Sequence, residues 1–181
     1  MPRIAKYSRT AMAERFVSVF KTYGYEGASL SLLADSVELS KASLYHHFPG
    51  GKEQIAAQAL AHSGARLQRL VLAPLASAKA GQERLQLSLR GVTEYYDGDV
   101  PVCLMNSLLL GEGRTLFGSQ IKAAVDAWTK GLARATTEAG LSNPEAWARQ
   151  SLEQIQGALV ICRVVGNRSP LHACLEKLSH I

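Results

Sequence analysis

Ser40-Lys41-Ala42-Ser43-Leu44-Tyr45-His46-His47-Phe48 is the stretch whose reading decides the fold. The spacing predicts a short helix. Ser40 stands where an N-cap side chain accepts a hydrogen bond from a first-turn amide, and Leu44 and Phe48, four residues apart, share one apolar face. Lys41, Ala42, Ser43, Tyr45 and His46 are small, polar or cationic, so the helix presents outward what a core helix would not carry. Upstream, Ser29 to Val37 reads as a second short helix with Leu30, Leu33, Ala34 and Val37 on one side. Only a few residues separate the two, which is the syntax of a helix-turn-helix.

Outward from that pair, helical periodicity dominates and no run of alternating β-branched residues occurs. Met12, Phe16, Val19, Phe20 and Tyr23 form an apolar stripe for a first helix, closed by Gly24 and Gly27. After Pro49-Gly50-Gly51 a long helix carries Ala56, Ala59, Leu60, Ser63, Leu67 and Leu70 on one face, and Pro74 is expected to end or bend it. Leu85, Leu89, Val92 and Tyr96 mark a fifth helix, and the nearly continuous apolar run Val102 to Leu110 a short buried sixth. Phe117, Ile121, Ala124, Val125, Trp128, Leu132 and Ala135 make a long amphipathic seventh, with Gly140 as its C-cap.

Asn143-Pro144-Glu145 combines an N-cap side chain, a first-turn proline and a first-turn acid, so an eighth helix starts there and runs to about Val165. Ser169 and Pro170 are expected to cap and open a last one. The expected fold class is therefore all-α: a three-helix helix-turn-helix domain over residues 1–50 and a six-helix body over residues 51–181.

With 181 residues, 47% of them hydrophobic, the chain can build a real core. Cys103, Cys162 and Cys174 form no CxxC pair, and no apolar leader of signal-peptide type opens the sequence, so a reducing, cytoplasmic setting is expected. The longest apolar runs fall far short of the roughly 20 residues that span a bilayer, so no membrane partner is expected. Residues 1–52 hold seven cations (Arg3, Lys6, Arg9, Arg15, Lys21, Lys41 and Lys52) against four acids, which places +3 of the net +5 on the helix-turn-helix.

That excess suits an anionic partner. Hydrolase, kinase, zinc-protease and dinucleotide motifs are absent. His46 and His47 point about 100° apart on a helix and cannot share a metal. No enzyme activity, cofactor or metal is therefore expected.

A helix that reads DNA must enter a major groove about 12 Å wide with donors that reach base edges. Ala42 leaves room, and Lys41, Ser43 and His46 supply donors. Tyr45, His47, Ser29, Ser31 and Lys52 are the candidates for phosphate contacts, which position the protein without reading sequence. Lys52 also follows two glycines at a helix N-terminus, where free amides and the dipole favour an anion. The competing reading is that two short helices simply pack a small bundle.

The stretch from Gly24-Tyr25-Glu26-Gly27-Ala28-Ser29 through Leu44-Tyr45-His46-His47-Phe48-Pro49-Gly50-Gly51-Lys52-Glu53 resembles the DNA-binding domain of TetR-family transcriptional regulators. Its wording is most similar to the LmrA/YxaF branch, over about residues 6 to 60. The resemblance implies that Ser40 to His47 is the recognition helix, that Ser29 to Val37 supports it, and that Tyr45 and Lys52 hold the DNA backbone on either side. It also implies double-stranded DNA with a palindromic operator, a homodimer, and a small-molecule effector that releases a repressor.

It places the dimer interface on the last two helices, whose stripes are Ala148, Ser151, Leu152, Ile155, Leu159 and Cys162 on the eighth and Leu171, Cys174, Leu175 and Leu178 on the last; the competing reading is that these stripes face the monomer core. For an apolar or aromatic effector it points to Tyr96, Cys103, Met105, Leu108, Leu109, Phe117, Ile121 and Trp128, residues whose helical spacing equally fits plain core. One residue departs from the family pattern: Glu38 stands in the turn where the family usually has glycine. A scaffold of the same fold without operator binding is the alternative.

Overall fold

A computed structural model describes residues 7–180. Two of the seven head cations, Arg3 and Lys6, lie outside the described residues. Among the described residues there are nine helices: α1 Arg9–Gly27, α2 Leu30–Ser36, α3 Lys41–His47, α4 Gly51–Leu67, α5 Gly81–Tyr95, α6 Leu104–Leu108, α7 Glu112–Glu138, α8 Pro144–Val165 and α9 Ser169–Ser179. The helix α4 runs on through a π turn, Gln68–Leu72, and a last turn, Ala73–Leu75. The fold is all-α with an N-terminal helix-turn-helix, and none of its helices is long and apolar enough to cross a membrane. Contacts divide the chain into two compact units, Met1–Gly64 with Leu104–Ile121, and Ala65–Cys103 with Lys122–Ile181.

The first unit is closed by aromatic and aliphatic side chains. Phe16, Phe20, Leu33, Leu44, Phe48 and Ile55 are all buried, and burying each stabilises the fold by about 1.5–3 kcal/mol. Phe16 meets the Phe48 ring edge-on at 5.5 Å, which ties α1 to the end of α3.

The stripe expected on α1 holds for Met12, Phe16 and Phe20 but not for Tyr23, which is 51% exposed, whereas Tyr25 is 4% exposed. Gly24 causes the exchange. Its φ of 68° breaks the helical register, a conformation that costs glycine little, and a Cβ there would lie 3.1 Å from the Ser107 carbonyl. Beside this kink the Ser107 hydroxyl donates to the Lys21 carbonyl at 3.2 Å.

In the second unit, Pro74 shapes the end of α4. It has no N–H for the Leu70 carbonyl four residues back, and the helix loosens into the π turn just before it. That carbonyl packs against α5 at Gly91, where a Cβ would stand 1.8 Å from the Leu70 oxygen. Arg84, buried on α5, donates to the Leu75 carbonyl at 3.2 Å and to the Glu138 carboxylate, joining α4, α5 and α7.

The apolar stripes of α8 and α9 pack inward. Ala148, Ser151, Leu152, Ile155, Leu159, Cys162, Leu171, Leu175 and Leu178 are all buried within the single chain, and Cys174 is half-buried. These stripes cover this unit's own core. Val160, Ile161, Val164 and Val165 instead form the exposed apolar surface of α8. Two caps also differ from expectation: the Asn143 side chain makes no capping bond, and Ser169 is the first residue of α9, its N–H donating to Asn167 Oδ1 at 3.0 Å.

Candidate nucleic-acid interface

Capping sets the two short helices. The Ser29 hydroxyl accepts from Leu32 N–H at 3.2 Å at the start of α2. The Ser40 hydroxyl accepts from Ser43 N–H at 3.1 Å at the start of α3, with the two hydroxyl oxygens 2.9 Å apart. Each cap replaces a missing intrahelical partner and contributes about 1 kcal/mol, which matters for helices too short to hold by propensity alone.

Leu44 and Phe48 are buried and pin α3 to the first unit. Ser40, Lys41, Ala42, Tyr45 and His46 are exposed, Ser43 and His47 half-buried. On α2, Ser29 is exposed and Ser31 half-buried. Every residue expected to face DNA is thus at least partly accessible, and the two apolar ones are not.

Tyr45, 48% exposed, stands over the start of α4, its Cε1 3.7 Å from the position a Cβ on Gly51 would take. The His46 and His47 rings meet edge-on at 5.9 Å. Lys52 is half-buried, and its ammonium donates to the Tyr25 carbonyl at 3.1 Å while lying 4.3 Å over the Tyr25 ring. Burial, then the carboxylates of Glu112, Glu53 and Glu26, push the Tyr25 phenol above its ordinary range. The expected phosphate contact at Lys52 therefore has a second, internal role that spacing did not reveal.

Glu38 adopts φ 55°, the left-handed form that glycine takes without strain. A non-glycine residue held there costs on the order of 1 kcal/mol. The turn retains its geometry all the same: Glu38 N–H donates to the Asp35 carbonyl at 3.1 Å and Leu39 N–H to the Ala34 carbonyl at 3.0 Å. The Tyr7 hydroxyl donates to the Glu38 carboxylate at 2.5 Å. Arg15 lies 4.1 Å over the Tyr7 ring and donates to the Ser36 carbonyl at 2.9 Å. Tyr7 and Arg15 had no signal in the helical pattern, because Tyr7 precedes α1 and Arg15 lies off its apolar stripe.

The residues expected around an effector come from both compact units. Met105, Leu108, Leu109, Phe117 and Ile121 belong to the first unit, and Tyr96, Cys103 and Trp128 to the second. Within the second unit the Tyr96 hydroxyl donates to Cys103 Sγ at 3.5 Å and accepts from the Gln156 amide at 3.3 Å. Burial raises this phenol well above its ordinary value, with Cys103 and Tyr95 adding to the effect. Trp128 Nε1 is buried without a hydrogen-bond partner. An open groove of about 580 Å³ lies between α5 and α9, lined by Leu89, Arg90, Thr93, His172, Leu175 and Glu176. Among the described residues no group of three or more His, Cys, Asp or Glu side chains could hold a metal.

Residues 17–59 match the family described as "Bacterial regulatory proteins, tetR family". The chain is 23% identical over 177 residues to the uncharacterized HTH-type transcriptional regulator YxaF of Bacillus subtilis (strain 168), a match that covers 94% of this chain and 93% of YxaF. It is 40% identical over 53 residues to the HTH-type transcriptional regulator LmrA of the same organism, covering 29% of this chain and 28% of LmrA. Among solved structures, the TetR-family transcriptional regulator CifR, as a cysteine mutant complexed with 26-bp operator DNA, superposes with a TM-score of 0.77 at 25% identity over 98% of both chains.

Proposed function

We propose that this chain, which resembles TetR-family DNA-binding transcriptional regulators of the YxaF/LmrA branch, is a homodimeric repressor released from a palindromic operator by an apolar or aromatic effector. The observation that carries the reading is the division of α3 into a buried anchor, Leu44 and Phe48, and an accessible face of Lys41, Ala42, Ser43 and His46. That face has the small size and the donors that base readout requires. Tyr45, His47, Ser29, Ser31 and Lys52 surround it as phosphate contacts, with Ser40 as the cap that orients the helix.

A dimer follows from the need to reach two half-sites about 34 Å apart. The support for it in this chain is the outer face of α8, where Gly157, Val160, Ile161 and Val164 recur at i, i+3, i+4 and i+7. In that arrangement the contact surface is this face rather than the buried stripe first assigned to it. The effector reading draws support from buried polarity in the second unit: the Tyr96, Cys103 and Gln156 chain and the unpartnered Trp128 N–H. An orphaned buried donor costs about 1–3 kcal/mol, and a ligand acceptor would relieve it. To act as a switch, such a ligand must favour one operator-binding state over the other by its difference in affinity.

Enrichment of a random duplex library by the purified protein at moderate salt tests the reading. One selected palindrome is expected, and Ser43→Ala and His46→Ala are expected to shift base preference at one or two positions per half-site. Recovery of no sequence above background would leave the chain a scaffold of this fold.

A further inference from the structure

We propose that Tyr7 and Arg15 form a latch on the helix-turn-helix turn. It holds the Glu38 carboxylate off the DNA-facing surface and keeps the left-handed turn in register, which makes both side chains positioning residues for operator binding. The proposal rests on the DNA-binding reading above.

Glu38 lies two residues before the cap of α3, so its conformation decides where the recognition helix begins. Glycine would take φ 55° without strain and would bring no charge. Glutamate does neither, and a carboxylate beside α3 repels the phosphates that Tyr45 and His47 are to contact. Two groups distant in sequence answer both difficulties. The Tyr7 hydroxyl donates to the carboxylate across 31 residues of sequence, which fixes the side chain and satisfies its charge with a charge-assisted bond. Arg15 stacks on the same tyrosine ring and donates to the carbonyl of Ser36, the last residue of α2. It thereby carries a fixed positive charge beside the turn and ties α1 to its entry.

Arg15 and Glu38 are exposed and Tyr7 is half-buried, whereas the packing of α1 on α2 and α3 rests on Phe16, Leu33, Leu44 and Phe48. The latch therefore adds little to the core. Its effect falls on the placement of α3 and the charge presented beside it.

Four proteins test this: wild type, Tyr7→Phe, Glu38→Gly and the double variant. Each is titrated with the duplex that the wild type enriches from a random pool, and each is followed by amide exchange at residues 37–40 and by thermal melting. Tyr7→Phe should bind about five- to tenfold more weakly and exchange faster at Leu39 and Ser40, with its melting temperature nearly unchanged. Glu38→Gly should bind at least as tightly as wild type. The double variant should recover wild-type affinity, because the charge that Tyr7 holds away from the phosphates is gone.

A Tyr7→Phe protein that matches wild type in both affinity and exchange overturns the latch. So does a double variant as weak as Tyr7→Phe, since Tyr7 would then be acting on DNA directly. If the wild type enriches no duplex, the regulator reading falls by itself. The latch is then decided by exchange at residues 37–40, which must rise in Tyr7→Phe and not rise further in the double variant.

Discussion

On the proposed reading one ammonium at Lys52 serves two purposes, because it carries three donors. One goes to the Tyr25 carbonyl, and the Tyr25 ring covers a second side of the group; a third direction is left for a phosphate. Lys52→Ala should then lower binding to all duplexes alike and reduce the slope of log K against log salt by about one. The same change should cost the fold about 1 kcal/mol through the lost internal bond. Fluorescence anisotropy over a salt series and urea melts separate the two effects: loss of stability with an unchanged salt slope would make Lys52 a strut only.

Tyr96 is the second residue with a readable consequence. Its phenol is held neutral by burial, so above pH about 10 the unfolded chain gives up a proton that the folded chain keeps. The unfolded state then binds fewer protons, and stability must fall as pH rises, by up to about 1.4 kcal/mol per unit from this one group. Below pH 10 both states hold the proton and the effect vanishes. Urea unfolding of wild type and Tyr96→Phe between pH 9.5 and 11 should show the steeper decline only in wild type.

At the scale of elements, the positions of the helices were legible because each is bounded by a local signal: Ser29 and Ser40 as caps, Gly24 as a break, Asn143-Pro144 as a start. What lay beyond the sequence was which side of an element each neighbour covers. Helical spacing marks a stripe on α8 but does not say whether that stripe meets its own chain or another, and the structure turns it inward. The exchange of Tyr23 for Tyr25 had the same origin, since a φ of 68° at Gly24 cannot be read from periodicity.

For the set expected to face DNA, which comes from one short helix and its neighbours, the pattern anticipated which side chains are accessible and which are buried. The effector residues were drawn from several helices, and they fall in two units. Gly91 shows a constraint that no pattern signals, because it depends on the close approach of the Leu70 carbonyl. Gly91→Ala should destabilise the protein by about 3 kcal/mol, read as a lower urea midpoint. Gly157→Ala, whose Cβ would meet nothing within 4 Å, should leave the midpoint unchanged or slightly raised.

The proposed dimer depends on a surface that stands largely exposed in the single chain. Val164 is 76% exposed, and it continues a ridge with Val160 and Ile161. Apolar side chains grouped this way gain by association, and a carboxylate placed among them at a twofold contact would face its own copy across it. Val164→Glu should therefore convert a dimer to a monomer in sedimentation equilibrium while circular dichroism and melting stay close to wild type, because the substituted side chain leaves a solvent-facing position. Operator binding should suffer far more than folding. Two linked heads bind the second half-site at a high effective concentration, and losing the link should weaken binding to the full palindrome by about 100-fold or more. Affinity for a single half-site should stay unchanged. A variant that remains dimeric places the contact on another surface, and one that turns monomeric yet binds the palindrome like wild type removes dimerisation from the mechanism of operator recognition.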